Sequence, residues 1–189
     1  MIRIGILGDI GSGKSYVAKK FGFPVFNADS EVGKLYENDK KVFHKLKKVL
    51  PKYFVIFPIK KEDVSNAILA NNKNLKKIIK IIHFEIQKKI GNFLKKNKNK
   101  KIVILDIPLL LENKINKKKD ILIFIQSKKS EILKRLNKRT NFNKKLFKKF
   151  KKIQLPLDYK KKRSQFIIKN DFTKRSVIKS INMILNQIK

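Results

Sequence analysis

The first fifteen residues constrain the fold of this chain more than any other segment. An apolar run at residues 2–7 leads directly into residues 8–15, which read G-D-I-G-S-G-K-S and match the pattern G-x-x-x-x-G-K-[ST] at every fixed position. This motif requires a buried strand before it and a helix after it. The sequence therefore predicts a strand over residues 2–7, a glycine-rich turn, and a helix from about Gly13 to Phe21.

The residue types in this loop indicate that it binds the phosphates of a nucleoside triphosphate. Glycines let the backbone wrap an anion and point its N–H groups at it, beside a helix N-terminus whose dipole favours negative charge. Lys14 supplies a mobile cation for the β- and γ-phosphates, and the Ser15 hydroxyl is a candidate Mg²⁺ ligand. A dinucleotide-binding fingerprint is excluded because its third glycine is missing. The predicted ATP- or GTP-binding residues of the loop are Gly8, Gly11, Ser12, Gly13, Lys14, Ser15 and Tyr16.

The rest of the chain alternates short apolar strands with amphipathic helices, which is typical of an α/β fold with a parallel sheet. Further strands are predicted at residues 24–26, 102–105, 121–125 and 165–168. Helices are predicted at 130–139, 143–153 and 173–188, and across 30–98 with a break at 51–58. Within that long stretch, an apolar stripe repeats at three- and four-residue steps, at Leu75, Ile78, Ile79, Ile82, Ile86 and Ile90. The sequence thus predicts a single P-loop kinase domain over 1–189, with a five-stranded parallel sheet.

The composition is strongly basic, but it does not by itself indicate nucleic-acid recognition. The formal net charge is +35, yet only five of the 49 basic residues are arginine. Lysine lacks the bidentate fork that specific base and phosphate recognition uses. We therefore expect only salt-sensitive, non-specific attraction to polyanions.

Having no cysteine excludes disulfides and thiol catalysis, and no uncharged apolar stretch approaches the ~20 residues of a membrane span. We expect a cytoplasmic protein without membrane attachment.

Two carboxylates follow predicted strands, at the sheet edge where open α/β folds bind their ligands. Asp29 comes just after the second strand and could accept the proton of an attacking hydroxyl or orient it. Its alternative role is as an N-cap for the following helix. Asp106 follows four apolar residues and is expected to help hold Mg²⁺ near the loop, with a simple turn residue as the alternative.

Several further segments, in order, resemble the dephospho-CoA kinase family. They are Asn27-Ala28-Asp29, His83, the string L-D-I-P-L-L-L-E at residues 105–112, Arg139, Q-L-P-L at 154–157 with Lys160, and Ile168-Lys169-Asn170. The resemblance covers essentially the whole chain. It implies transfer of the γ-phosphate of ATP to the ribose 3′-hydroxyl of dephospho-CoA, with Mg²⁺, as the last step of coenzyme A synthesis. It also implies a helical acceptor-binding insertion at about 30–98 and a lid at about 140–160.

The resemblance assigns roles to particular residues. Asp29, His83, Asp106, Pro108 and Leu109 are expected to contact the acceptor substrate; Asp29, Lys14 and Arg139 are expected to act in catalysis. His83 has a satisfied core histidine as its alternative reading. Asn170 falls where such kinases surround the adenine with backbone groups, and an ordinary turn is its alternative.

The chain departs in four ways from what the family usually carries, one being Tyr16, where the family commonly has Thr. The family usually has Asp at the position of Asn27, which can hydrogen-bond but cannot ionise. It has Pro after His83, where this chain has Phe84, and it tends to carry an arginine shortly before Gln154, where this chain has only lysines. Lysine could supply the charge there, but not the bidentate fork.

Two other functions remain open from the sequence. One is a different small-molecule kinase on the same scaffold, of nucleotide or shikimate type, although five arginines are few for gripping an acceptor phosphate. The other is a nucleic-acid-associated ATPase, for which the chain shows no aromatic-rich binding strand. We expect the partner to be dephospho-CoA and not a specific nucleic acid, and the protein to be a monomer or a weak oligomer.

Overall fold

The computed structural model describes residues 1–140 and 142–188. In this part of the chain five strands form one parallel sheet, in the order β2-β3-β1-β4-β5. The strands are β1 (Ile2–Gly8), β2 (Val25–Asn27), β3 (Ile102–Asp106), β4 (Ile121–Gln126) and β5 (Phe166–Lys169). The predicted α/β P-loop kinase architecture is confirmed.

Helices connect the strands and supply most of the remaining structure. They are α1 (Lys14–Lys20), α2 (Ala28–Asn38), α3 (Lys40–Val49), α4 (Lys61–Ala70), α5 (Asn72–Lys96), α6 (Lys129–Asn137), α7 (Lys144–Lys152), α8 (Leu157–Lys162) and α9 (Lys174–Gln187). No helix in the described residues combines the length and the apolar character needed to cross a membrane.

The core lies against the central strands β1, β3 and β4. All five residues of β3 are buried, as expected for a parallel strand that is covered on both faces. Branched aliphatic side chains of these strands, among them Ile4, Ile104 and Ile123, pack with Val17 of α1 and Ile181 of α9. This packing holds the carboxyl end of β1, and so the glycine-rich loop, on a rigid support.

The helix boundaries differ from the sequence predictions at several places. The 30–98 stretch contains two further breaks, at Asn71 between α4 and α5 and at Asp39, whose side chain caps α3 by accepting from the Val42 N–H at 3.0 Å. The helix expected to end at Arg139 ends at Asn137. The short helix α8 was not predicted; it begins directly after Pro156, a residue that fixes the preceding backbone but permits a helix to follow.

The described chain divides into two compact units. Unit 1 consists of Met1–Asn27, Leu94–Phe142 and Ile153–Lys189, and contains the sheet. Unit 2 consists of Ala28–Phe93 and Asn143–Lys152, so it holds most of the predicted acceptor-binding insertion together with α7. Within unit 2, α7 packs against α4, and Lys149 Nζ donates to Asn72 Oδ1 at 2.8 Å. The predicted lid at 140–160 includes residue 141, which lies outside the described residues.

Candidate active site

The glycine-rich loop connects β1 to α1 in a conformation that side chains would obstruct. Gly8 and Gly13 have φ angles of 147° and 88°, which disfavour any residue with a Cβ. A Cβ on Gly13 would also come within 2.5 Å of the Asn170 side-chain nitrogen, and one on Gly8 within 2.7 Å of the Ile125 carbonyl oxygen. The glycines are therefore required by the loop's shape and by its close packing.

Lys14 is buried at the start of α1 and folds back over the loop. Its ammonium donates to the carbonyl oxygens of Asp9 at 2.7 Å and Gly8 at 3.3 Å. The cation therefore lies inside the loop, where a polyphosphate would need it. Ser15 and Tyr16 follow on the exposed side of α1.

Other parts of unit 1 form hydrogen bonds to the loop at Ser12. Its carbonyl oxygen accepts from Asn170 Nδ2 at 2.9 Å and from Ser127 Oγ at 3.0 Å. Asn170 is itself buried, and its backbone N–H donates to the Gln126 carbonyl at 2.8 Å. The Asn170 side chain therefore supports the loop, while its backbone N–H is bonded to the last residue of β4. The Oγ of Ser12 is buried and has no hydrogen-bond partner among the described residues.

An aromatic ring and a guanidinium lie beside the loop. Phe172 has a φ of 66°, and its ring would lie 3.4 Å from a Cβ on Gly13. The guanidinium of Arg135, on α6, stacks over this ring with its carbon 4.3 Å from the centroid. The two side chains thus form a cation–π pair beside the loop.

Asp171 fixes the segment that carries Phe172. Its Oδ1 accepts from the Thr173 N–H at 2.9 Å, from the Thr173 hydroxyl at 2.8 Å, and from the Ser176 hydroxyl. Because these donors favour the ionised form, with the Ser176 hydroxyl contributing most, the pKa of Asp171 falls to about 2. The turn before α9 is therefore held together by an ionised carboxylate.

Asp106 lies at the carboxyl end of β3, almost completely buried, and is paired with Asn27 on the neighbouring strand. The two residues are register partners in the β2–β3 ladder, and Asn27 Nδ2 donates to Asp106 Oδ2 at 2.5 Å. The amide that stands where the family usually has a carboxylate therefore neutralises part of the Asp106 charge without adding another.

The oxygen donors at this edge fit Mg²⁺. Mg²⁺ prefers hard oxygen ligands and is usually held through one or two protein groups together with substrate phosphates. The Asp106 carboxylate and the exposed Ser15 hydroxyl, both in unit 1, are such groups. No cluster of three or more acidic, histidine or cysteine side chains suited to a metal occurs among the described residues. The donor set thus resembles a phosphate-assisted site and not a protein cage.

The turn after β3 carries the predicted acceptor residues Pro108 and Leu109, both half-buried. Leu110, next in the chain, is fully buried against Gly5, where a Cβ would come within 2.5 Å of Leu110 Cδ2. Glu112 then forms an ion pair with Lys160 on α8, with Lys160 Nζ 2.7 Å from Glu112 Oε1. The two most specific strings of the family resemblance are therefore in contact within unit 1.

Arg139 lies in the exposed turn that follows α6, and its backbone N–H donates to the Leu136 carbonyl at 3.1 Å. Its exposed side chain is therefore accessible to an anionic ligand. Arg135 stands four residues earlier in the sequence, in the last turn of α6.

Unit 2 contains the remaining two predicted residues. Asp29 is the second residue of α2, in its exposed first turn, and so it is inside the helix and not at its N-cap. His83 lies half-buried on α5 beside the apolar stripe, and its Nε2 is buried without a hydrogen-bond partner among the described residues. An orphaned buried nitrogen costs about 1–3 kcal/mol, which argues against the reading of His83 as a satisfied core histidine.

Sequence reasoning missed three residues at this site. Ser127 could have been found because it follows β4 at the same edge of the sheet as the other strand-end residues. Arg135 could have been found from its four-residue spacing to Arg139. Phe172 carries no sequence signal, since its role depends on a positive φ that is not encoded by a glycine.

Comparison with known proteins gives one consistent result. The model of the family described as dephospho-CoA kinase matches residues 2–175. A dephospho-CoA kinase of Wolbachia pipientis is 33% identical, over 98% of this chain and 97% of the relative. Among solved structures, a Thermus thermophilus protein superposes with a TM-score of 0.80 at 23% identity, covering 100% of this chain and 98% of the other. Dephospho-CoA kinase from Campylobacter jejuni does so with a TM-score of 0.62 at 22% identity, covering 99% and 97%.

Proposed function

The chain belongs to the dephospho-CoA kinase family, and we propose that it transfers the γ-phosphoryl group of ATP to the ribose 3′-hydroxyl of dephospho-CoA. The observation that supports this proposal most strongly is the match to the family model over residues 2–175, since it includes both the loop and the segments that follow β3 and α7. The complete phosphate loop, with the Lys14 ammonium held inside it, supports the use of ATP.

In this reaction the 3′-oxygen bonds to the γ-phosphorus, and the bond from that phosphorus to the β–γ bridging oxygen breaks, so that ADP leaves. Lys14 is suited to balance the charge that develops on the phosphates, and Arg139 is a second cation that can reach them. Ser15 and Asp106 are the proposed Mg²⁺ ligands, and Mg²⁺ would supply further charge neutralisation when bound. Ser12, Gly8, Gly11 and Gly13 shape the loop, while Tyr16 and Asn170 border it.

We assign Asp29 to the acceptor hydroxyl. Its carboxylate is exposed, it follows the end of β2 by two residues, and it is the second residue of α2. It can therefore accept the hydroxyl proton or hold that hydroxyl in line with the γ-phosphorus. His83 is proposed as an acceptor contact, because a ligand polar group would satisfy its orphaned Nε2. Pro108 and Leu109 complete this assignment.

The test is an ADP-release assay with dephospho-CoA, AMP, CMP, dTMP, adenosine and shikimate as acceptors. We expect turnover with dephospho-CoA only, and turnover restricted to another acceptor would contradict the proposal. D29N removes the charge at nearly constant size and is expected to lower kcat by about 10²-fold or more.

Glu31→Gln is the matched control for D29N. Glu31 lies in the same first turn of α2 and is engaged by Lys34, whose Nζ is 2.6 Å from Glu31 Oε1. Both substitutions remove one carboxylate charge from the helix N-terminus, so both alter the helix dipole interaction by a similar amount, about 0.3–1 kcal/mol. E31Q should retain nearly full kcat. Equal kcat values for the two variants would remove Asp29 from the chemistry.

We also propose that the protein is cytoplasmic, that it is a monomer or a weak oligomer, and that it has no specific nucleic-acid partner. The exposed lysines, including five of the nine residues of α7, predict non-specific binding to polyanions. Such binding should weaken steeply with salt. Sequence-selective binding that survives about 0.3 M salt would favour a nucleic-acid role instead.

A further inference from the structure

The ion pair between Glu112 and Lys160 is almost fully buried. A contribution to stability does not explain this burial. The Lys160 side chain is 1% exposed and that of Glu112 is 8% exposed. Removing two charges from water costs so much that a buried pair often adds no more stability than two apolar side chains of similar volume. Most other lysines of this chain lie at the surface, so the burial of this pair indicates a role other than stability.

Glu112 joins three parts of unit 1. Its Oε1 accepts from Lys160 Nζ on α8 at 2.7 Å and from the backbone N–H of Leu155 at 3.0 Å. Its Oε2 is buried and has no hydrogen-bond partner among the described residues. The side chain therefore holds these two donors together although one of its buried oxygens is left unsatisfied, which indicates a geometric requirement at this position.

The two segments that Glu112 joins lie far apart in the sequence: one follows Asp106, and the other follows α7. Glu112 lies in the turn that follows Asp106 (the Asp106 turn), and Leu110 within that turn is locked against Gly5. Leu155 lies two residues beyond Ile153, where the chain returns to unit 1 after α7. The carboxylate therefore fixes the Asp106 turn to the point at which the α7 segment is attached.

We propose that Glu112 and Lys160 are positioning residues for phosphoryl transfer: they hold the Asp106 turn and the attachment point of α7 in one fixed arrangement. This inference rests on the proposed function. Neither residue needs to touch a substrate, because a displacement of about 1 Å in a positioned group can cost about 10²-fold in rate. The pair acts through the orientation of Asp106, Pro108 and Leu109 at one end and of residues 153–156 at the other.

The decisive variant is E112M/K160M, which replaces both charges with apolar side chains of similar length. Because no charge is left unpaired, the melting temperature and the affinity for ATP should stay close to wild type. We expect kcat with dephospho-CoA to fall by about tenfold to a hundredfold. An unchanged kcat in the folded variant would overturn the positioning role.

A second variant, E112D, covers the case in which the double variant does not fold. It keeps both charges but shortens the acidic side chain by one methylene, which shifts the carboxylate by about 1.5 Å relative to its donors. A folded E112D should again show normal ATP affinity and a kcat lowered by about tenfold or more. Retention of kcat within about threefold would refute the proposal, since it would show that the rate does not depend on this geometry.

The chain offers a matched control in Arg3 and Asp120, a second largely buried pair of unit 1, with Arg3 NH2 3.0 Å from Asp120 Oδ2. Arg3 is near the start of β1 and Asp120 just precedes β4, so this pair lies at the opposite edge of the sheet from the loop. R3M/D120M should leave kcat unchanged. An equal loss of kcat in both double variants would assign the effect to general loosening and overturn the inference. Failure of the wild-type protein to phosphorylate dephospho-CoA would instead refute the proposed function on which it rests.

Discussion

The contact between Asn27 and Asp106 makes the substitution N27D informative, since it restores the residue that the family usually carries. In the structure the Asn27 amide donates to Asp106 Oδ2 at 2.5 Å, and Asp106 is 3% exposed. N27D replaces this donor with a second carboxylate oxygen. The variant thus exchanges a charge-assisted hydrogen bond for a repulsive pair at a buried position.

The expected cost follows from these two changes. A hydrogen bond to a charged group contributes about 1.5–3 kcal/mol, and two like charges about 4 Å apart repel by about 4 kcal/mol at an effective dielectric of 20. Protonation of one carboxyl relieves part of this repulsion, so we expect a net loss of about 2–4 kcal/mol at pH 7. For a domain of this size that corresponds to a melting temperature lowered by roughly 5–15 °C.

The sign of the pH dependence separates charge repulsion from simple loss of the hydrogen bond. The pair raises the pKa of one carboxyl in the folded N27D variant above its unfolded value, so the penalty is present above the raised pKa and is relieved as the pH falls below it. N27D should therefore be closer to wild type at pH 5 than at pH 8. Added Mg²⁺ should restore part of its melting temperature, because it binds the carboxylates of the folded state.

N27A is the control, since it removes the same donor without adding a charge. Thermal unfolding followed by circular dichroism at pH 5 and pH 8, with and without Mg²⁺, measures both variants. Equal melting temperatures for N27D and N27A at both pH values, with no response to Mg²⁺, would refute the reasoning. A stability of N27D equal to wild type at pH 8 would show that the contact between the two side chains is not maintained.

The remaining predictions concern the loop, Arg139 and Asp171. K14A should lower phosphoryl transfer by about 10²-fold or more while circular dichroism stays native, because the lysine ammonium lies in the loop, where it donates to the carbonyls of Gly8 and Asp9; near-normal turnover would remove the proposed ATP site. R139K should lower kcat by roughly tenfold, which corresponds to about 1.4 kcal/mol of activation free energy, and should raise KM for ATP by a smaller factor. A change in KM alone would make Arg139 a ground-state binding residue. The Asp171 carboxyl should titrate near pH 2 by NMR, so that its contribution to stability is present above pH 4 and is lost as the pH falls towards 2; a midpoint near 4 would show that its turn does not persist in solution.

The sheet was predictable from the sequence because its strands read as short, continuous apolar runs. All five predicted strands are confirmed, and β3 is buried along its whole length. Helix ends were predicted less well. The break at Asp39 depends on a side-chain cap within a continuously helical pattern, and α8 is too short to show a periodic apolar face.

Different parts of the candidate site differed in how well they could be predicted. The loop could be read directly because its glycines, lysine and serine are fixed by local geometry. The contacts of Asn170 with Ser12, and of Glu112 with Lys160 and Leu155, join residues 158 and at least 43 positions apart. No spacing rule links such distant positions; only the family resemblance suggested that these segments act together.

The distribution of buried charge explains how a chain so rich in lysine can still form a specific site. In the described part of the chain, Lys14 and Lys160 are the only buried lysines, and each has named oxygen partners at short distance. Exposed lysines act through a field that salt screens within about 10 Å at 0.1 M, whereas a buried ammonium held against oxygen atoms is screened much less. Salt should therefore slow the encounter with anionic substrates, and so change kcat/KM, while the rate of the chemical step at saturation stays nearly constant.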